Sequence, residues 1–211
     1  MPSVPRPSKI VCVGRNYRAH AAELGNEVPS EPLVFLKPPS ALLAPGEPIV
    51  LPAGVGRVDY EGEIAVIVGR RARAVPESEA WAYVSGVAPL NDVTARDLQR
   101  TDGQWTRAKG FDTFCPLGEP APAAGLDPAA LEVVTRVNGE RRQHGRASDM
   151  AYPIPYLLSW VSRVMTLEVG DVIATGTPEG IGPLAPGDVV EVEVPGVGTL
   201  RSPVRGAEPR P

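Results

Sequence analysis

The sequence predicts an α+β fold rich in short strands. Three observations carry that expectation. Proline (25) and glycine (22) are abundant in 211 residues, and helical bundles tolerate neither in such numbers. Many short runs are apolar or alternating, bounded by Gly and Pro, which is the pattern of strands and turns. Helical spacing is confined to a few stretches, without the regular helix–strand alternation of a doubly wound sheet. The hydrophobic fraction of 43% is enough for a core. The length suits a single domain, residues 1–211.

Taken in order, residues 9–14 (KIVCVG) read as a buried strand ending in glycine. Residues 16–25 read as a short helix, capped by Asn16 and ended by Gly25. Residues 33–43 form an apolar strand broken by two prolines. Residues 58–69 (VDYEGEIAVIVG) have strong β character. Residues 76–85 look helical, with Pro76 and Glu77 at the start. Residues 86–100 read as a strand followed by a helix, and 116–129 as a Pro/Ala-rich surface loop. Residues 131–145 predict a hairpin around Asn138-Gly139. A helix follows over 153–166, and the tail 170–200 reads as short strands joined by Gly/Pro turns.

Several classes of partner are excluded early. The net charge is −4 and there is no basic block, whereas a nucleic-acid partner leaves a positive stripe. No apolar run approaches the roughly 18 residues of a membrane span. The N-terminal stretch MPSVPRPSK lacks the apolar core of a signal peptide, so a cytoplasmic location is expected. Cys12 and Cys115 lie far apart among apolar residues and read as buried free thiols.

Strand alternation puts Asp59, Glu61, Glu63, Ala65 and Ile67 on one face of the 58–69 segment. Three carboxylates on one face repel each other unless that end is solvated or a cation sits there. An oxygen-only ligand set favours hard ions such as Mg²⁺, Mn²⁺ or Ca²⁺. Asp92 sits at a strand-to-helix junction, where on its own it reads as a helix cap before a metal ligand.

His20 and Glu23 are three residues apart and share a helix face. A carboxylate beside an imidazole orients it and raises its basicity; the plainer alternative is a surface pair. His144 lies among polar residues and reads as exposed. Lysine is scarce, with only Lys9, Lys37 and Lys109. Lys37 and Lys109 sit in apolar surroundings, either snorkelling or placed in a site. The turn 175–182 (TGTPEGIG) offers backbone N–H groups and hydroxyls that can hold a carboxylate, and it is not a P-loop.

Seven segments, in order, give these fragments a context. KIVCVGRNYRAHAAE, EPLVFLKP, DYEGEIAVIVG, NDVTARDLQ, TRAKGFDTFCPLG, VNGERRQ and GDVIATGTPEGIGP together resemble the fumarylacetoacetate hydrolase family, over about residues 9–204. The likeness is nearest to its short acylpyruvase and oxaloacetate decarboxylase branch. The resemblance implies a β-rich mixed fold and a homodimer. It implies Mg²⁺ or Mn²⁺ on Glu61, Glu63 and Asp92, with Ca²⁺ able to stand in. It assigns His20, Glu23 and Lys109 to catalysis, with the first two on a lid helix. It assigns Arg15, Tyr17, Gln99, Gly176 and Thr177 to the substrate, and the scarcity of lysine adds Lys37 to these substrate residues. The implied reaction passes through an enolate of a small 2-oxo acid: acylpyruvate hydrolysis, oxaloacetate decarboxylation, or both. An isomerase or tautomerase of hydroxyheptadienedioate-type substrates is the nearest alternative, and a metal-stabilised binding module without activity the more distant one.

Overall fold

The structure is a computed structural model and describes residues 6–207. Among them, the strand-rich α+β fold expected from the sequence is found. A six-stranded sheet runs in the order Ala121–Pro122, Val84–Asn91, Gly62–Val68, Val172–Ala174, Ile10–Gly14, Leu33–Lys37. Only Val172–Ala174 and Ile10–Gly14 pair in parallel within it. A five-stranded sheet is built on the hairpin Glu132–Val137 and Glu140–Arg146, followed by Val189–Val194, Gly198–Gly206 and Ile49–Leu51.

The Gly62–Val68 strand is central, and all seven of its residues are buried. Ile64, Val66 and Val68 face the larger core, with Leu157, Leu158 and Val161 from the helix Ile154–Val164 and Val190 and Val192 from the second sheet. Ala65 and Ile67 face a smaller cluster with Ile10, Cys12, Leu90, Cys115 and Ala174. This is why the strand is apolar on both faces beyond its acidic start.

Several boundaries differ from the sequence expectation for stated reasons. The first helix is only Arg18–Glu23, and its N-cap is Tyr17. Asn16 does not cap it. Its side-chain amide donates to the carbonyls of Tyr152 and Thr175, and its Oδ1 accepts from the Tyr152 N–H. Tyr17 is extended and bridged to Met150, so helix begins one residue later. Residues 76–85 hold a single turn, Glu77–Ala80, and a 3₁₀ turn, Trp81–Tyr83, because the strand Val84–Asn91 starts at once. Residues 58–69 are two strands, Val58–Tyr60 and Gly62–Val68, parted at Glu61. The first pairs with Thr94–Ala95 and the second with Val84–Asn91. The helix expected before residue 100 is Arg96–Thr101 with Ala95 as N-cap, so Asp92 is not a helix cap. The Asn138-Gly139 hairpin forms as expected, with Val137 opposite Glu140. No helix among the described residues is long and apolar enough to cross a membrane.

Candidate active site

Glu61 occupies the break between two strands, and Glu63 is the second residue of the strand that follows. Gly62 between them packs against the second sheet. A Cβ there would lie 1.9 Å from the Thr135 hydroxyl oxygen. The Gly62 N–H instead donates to Gln143 at 2.9 Å and its carbonyl accepts from the Thr177 hydroxyl at 2.8 Å. Asp92 follows the neighbouring strand, its N–H bonded to the Glu61 carbonyl at 2.8 Å. One carboxylate oxygen from each of Glu61, Glu63 and Asp92 falls within a set whose members lie within 4.8 Å of one another. The solvated-end reading does not hold: the three are 4%, 2% and 1% exposed. Nor is Asp59 solvent-facing; it is fully buried between Arg57 and Arg96.

Buried carboxylates need compensation, and it is unevenly supplied. The Lys109 ammonium contacts Glu61 Oε2 and Asp92 Oδ2, each at 2.6 Å. Lys37 contacts Asp92 Oδ1 at 2.5 Å and donates to the Val93 carbonyl at 3.2 Å. Arg96 faces Glu61 Oε1 at 2.6 Å, Asp59 Oδ2 at 2.8 Å and Gln99 Oε1 at 2.8 Å. Burial alone would raise the Glu61 pKa, but Lys109, Arg96 and His20 outweigh it and hold the carboxyl well below the usual range. Burial would likewise lower Lys109, and the charges of Asp92 and Glu61 raise it instead. Glu63 is met by the neutral N–H of Gly176 at 2.8 Å. Burial, then the charges of Asp92 and Glu61, push it well above the ordinary carboxylate value. A carboxylate raised first by its burial and then by its acidic neighbours is one that a further cation would suit, and an all-oxygen donor set is one that hard ions favour.

This trio lies at a cavity of about 470 Å³, which Glu61 and Asp92 help to line. His20 lines it too and is buried at 4% exposed, so it is not a surface pair. Its Nδ1 lies 3.1 Å from Glu23 Oε2. The other oxygen of Glu23 accepts from the Gly180 N–H at 3.0 Å, tying the short helix to the 175–182 turn. Arg15, Gln99, Lys109 and Thr177 also reach this cavity.

Three expected substrate residues lie elsewhere. Lys37 is buried behind Asp92. Gly176 backs Glu63. Tyr17 lines a separate cavity of about 450 Å³, with its hydroxyl buried and unpartnered. Sequence reasoning missed Arg96, which joins Asp59, Glu61 and Gln99. Its signal was present as the arginine of NDVTARD, four residues after Asp92. The scarcity of lysine was informative: each of the three lysines ends on a carboxylate, Lys9 on Asp171 and the other two within this site. Cys12 and Cys115 are free and buried, as expected, and burial pushes the Cys115 thiol up to about 12. His144 is exposed and paired with Glu132.

A strand-rich fold that gathers three buried carboxylates beside a His–Glu pair, a lysine and a cavity defines an enzyme-like site open to a hard cation. The chain belongs to the fumarylacetoacetate hydrolase family: the model of the fumarylacetoacetate (FAA) hydrolase C-terminal region matches residues 9–205. This places it among enzymes. It is 48% identical over 199 residues to the mitochondrial oxaloacetate tautomerase of Arabidopsis thaliana, covering 92% of this chain and 89% of that one. It superposes with a TM-score of 0.90 on 5-carboxymethyl-2-hydroxymuconate delta-isomerase from Mycobacterium smegmatis, at 49% identity, covering 97% of this chain and 81% of that chain. It superposes equally, with a TM-score of 0.90 at 33% identity, on fumarylpyruvate hydrolase from Pseudomonas aeruginosa in complex with Mn²⁺ and pyruvate, covering 95% and 91%.

Proposed function

We propose a divalent-metal-dependent enzyme of small 2-oxo acids that works at the enol stage, with Mg²⁺ or Mn²⁺ held by Glu61, Glu63 and Asp92. The observation that carries this reading is the buried acidic trio, whose three carboxylates each bring an oxygen within 4.8 Å of the others, with Glu63 met, among the described residues, only by a backbone N–H and raised by its burial and then by its two acidic neighbours. When bound, such an ion supplies Lewis acidity toward the 2-oxo and carboxylate oxygens of the substrate.

The chain's own residues supply the rest. Lys109 puts a compact ammonium beside the trio, where negative charge builds on the substrate oxygen. Glu23 engages His20 Nδ1 and leaves Nε2 to accept a proton, from substrate carbon or from water. Thr177 and Arg15 offer a hydroxyl and a guanidinium to substrate oxygens from the cavity wall. These groups can move a proton between carbon and solvent. With water activated they can direct attack on a distal carbonyl, and without it they can let CO₂ leave. The relatives at 48% and 49% identity are named for tautomerisation and isomerisation, and the one at 33% for hydrolysis. That ordering supports proton transfer on a short 2-oxo dioate as the first reading, ahead of the acylpyruvate hydrolysis and oxaloacetate decarboxylation expected from the sequence. A homodimer and a cytoplasmic location remain part of the proposal.

The test is a turnover panel with Mg²⁺ or Mn²⁺: enol–keto interconversion and decarboxylation of oxaloacetate, cleavage of acetylpyruvate and fumarylpyruvate, and isomerisation of a hydroxyheptadienedioate. Oxaloacetate interconversion is expected to be fastest, to stop with EDTA, and to return with excess Mg²⁺. Full activity after metal removal would sink the metal dependence. Silence across the panel would sink the substrate class.

A further inference from the structure

Each carboxylate of the trio has one oxygen held by a group other than Lys109. Asp92 Oδ1 is held by Lys37 at 2.5 Å, Glu63 Oε2 by the Gly176 N–H at 2.8 Å, and Glu61 Oε1 by Arg96 at 2.6 Å. The remaining oxygens of Glu61 and Asp92 share Lys109, and an ionised carboxylate oxygen keeps a second lone pair for a metal. Of the three tethers, one is backbone and Arg96 also serves Asp59 and Gln99. Lys37 differs. Its side chain is 0% exposed, it does not reach the cavity, and its contacts are Asp92 Oδ1 and the adjoining Val93 carbonyl. Burying an ammonium is costly unless it is paired. In a chain that uses arginine for nearly every cation, a compact ammonium has been kept at this place, where a planar fork of five donors would need more partners.

We infer that Lys37 is a positioning residue for the metal site: by holding Oδ1 it makes Asp92 offer a single oxygen, and so tunes the trio to Mg²⁺ and Mn²⁺ against Ca²⁺. The inference rests on the proposed metal site and not on which reaction follows. Mg²⁺ requires near-octahedral coordination, whereas Ca²⁺ takes six to eight oxygens and accepts bidentate carboxylates. Three ligands that each gave one oxygen would leave a six-coordinate ion room for a chelating substrate and water. Released from Lys37, Asp92 can turn both oxygens toward an ion, which suits Ca²⁺.

The experiment measures Mn²⁺ affinity from the EPR signal of free Mn²⁺, and Ca²⁺ affinity by competition, on the intact protein without substrate. Wild type is expected to bind Mn²⁺ at least about tenfold more tightly than Ca²⁺. Lys37→Met is expected to weaken Mn²⁺ binding on the order of tenfold to a hundredfold, and Ca²⁺ binding less, so the ratio falls. Lys37→Gln, which keeps an N–H donor for Oδ1, is expected to restore part of the ratio. Equal weakening of both ions overturns the inference, because Lys37 would then only balance charge. A wild-type ratio near one overturns it too, even if neither variant folds. Selective Mn²⁺ binding without turnover on the substrate panel sinks the proposed reaction and supports this inference.

Discussion

Gly176 shows how much one residue in this site is asked to do. Its φ is +101°, a region that side-chain-bearing residues avoid, and its N–H points at Glu63. A Cβ added there would lie 2.8 Å from the Asn16 Cβ. Gly176→Ala should therefore cost about 1–3 kcal/mol of stability and also weaken Mn²⁺ binding, since the N–H must move away from Glu63. A thermal melt with and without Mn²⁺ reads both effects; an alanine variant with an unchanged Mn²⁺-induced shift would separate Gly176 from the metal site. His20 acts at the same scale. It is buried, held by Glu23, and faces the cavity. A general base typically contributes about 10²–10⁴-fold. His20→Ala should lower acylpyruvate cleavage by that order and oxaloacetate decarboxylation much less, because only cleavage needs an activated water. Equal losses in the two assays would remove the water-activating role.

At the scale of the element, the site depends on how the first strand passes into its short helix. Asn16 is fully buried there and bonds Tyr152 on both N–H and carbonyl, and the Thr175 carbonyl beside Gly176. Asn16→Ala leaves those backbone groups unsatisfied and should destabilise by about 3 kcal/mol. The helix carrying His20 should also become more open to amide hydrogen exchange. Exchange confined to the Tyr152 loop, with the helix as protected as before, would count against this coupling. The same residue shows what the sequence could and could not reveal. Asn before a helical run reads as a cap, because capping is a local signal. Its actual partners lie 136 and 159 residues away, and no local pattern encodes them. Local signals did succeed where local physics decides: the Asn138-Gly139 hairpin, the strand rich in β-branched residues, and the helix opening after Pro153. Alternation brought Glu61 and Glu63 to one face, but the strand break at Glu61 and the burial of both depend on long-range packing. Asp92 alone reads as a helix cap, and only the ordered set of motifs makes it part of the trio. Arg96 went unread because a helix-start arginine beside an aspartate looks like any exposed pair.

Across the whole molecule, the six-stranded sheet holds one parallel pairing, Ile10–Gly14 with Val172–Ala174. A parallel pair joined across most of the chain has a large loop-closure cost, and Asp171 fastens one end of it. Its fully buried side chain accepts from the Ser8 N–H at 2.9 Å, the Ser8 hydroxyl at 2.7 Å, the Lys9 N–H at 3.1 Å and the Glu168 N–H at 2.8 Å, with the Lys9 ammonium at 2.5 Å. Burial would raise its pKa, but the bonds from Lys9, Glu168 and Ser8 outweigh burial and lower it. A carboxyl lowered on folding stabilises the fold above its unfolded value, about 3.9, and that stabilisation is lost as pH falls through the lower folded value. Asp171→Asn should thus cost about 2 kcal/mol near pH 7, where charge-assisted bonds are lost. The gap to wild type should narrow below about pH 4, as Asp171 of the unfolded chain takes up its proton before the folded carboxyl does. Urea unfolding of both proteins from pH 7 down to pH 3 measures that gap directly. A gap that stays constant over the range would mean that Asp171 holds the strand pair by shape and neutral hydrogen bonds, not by its charge.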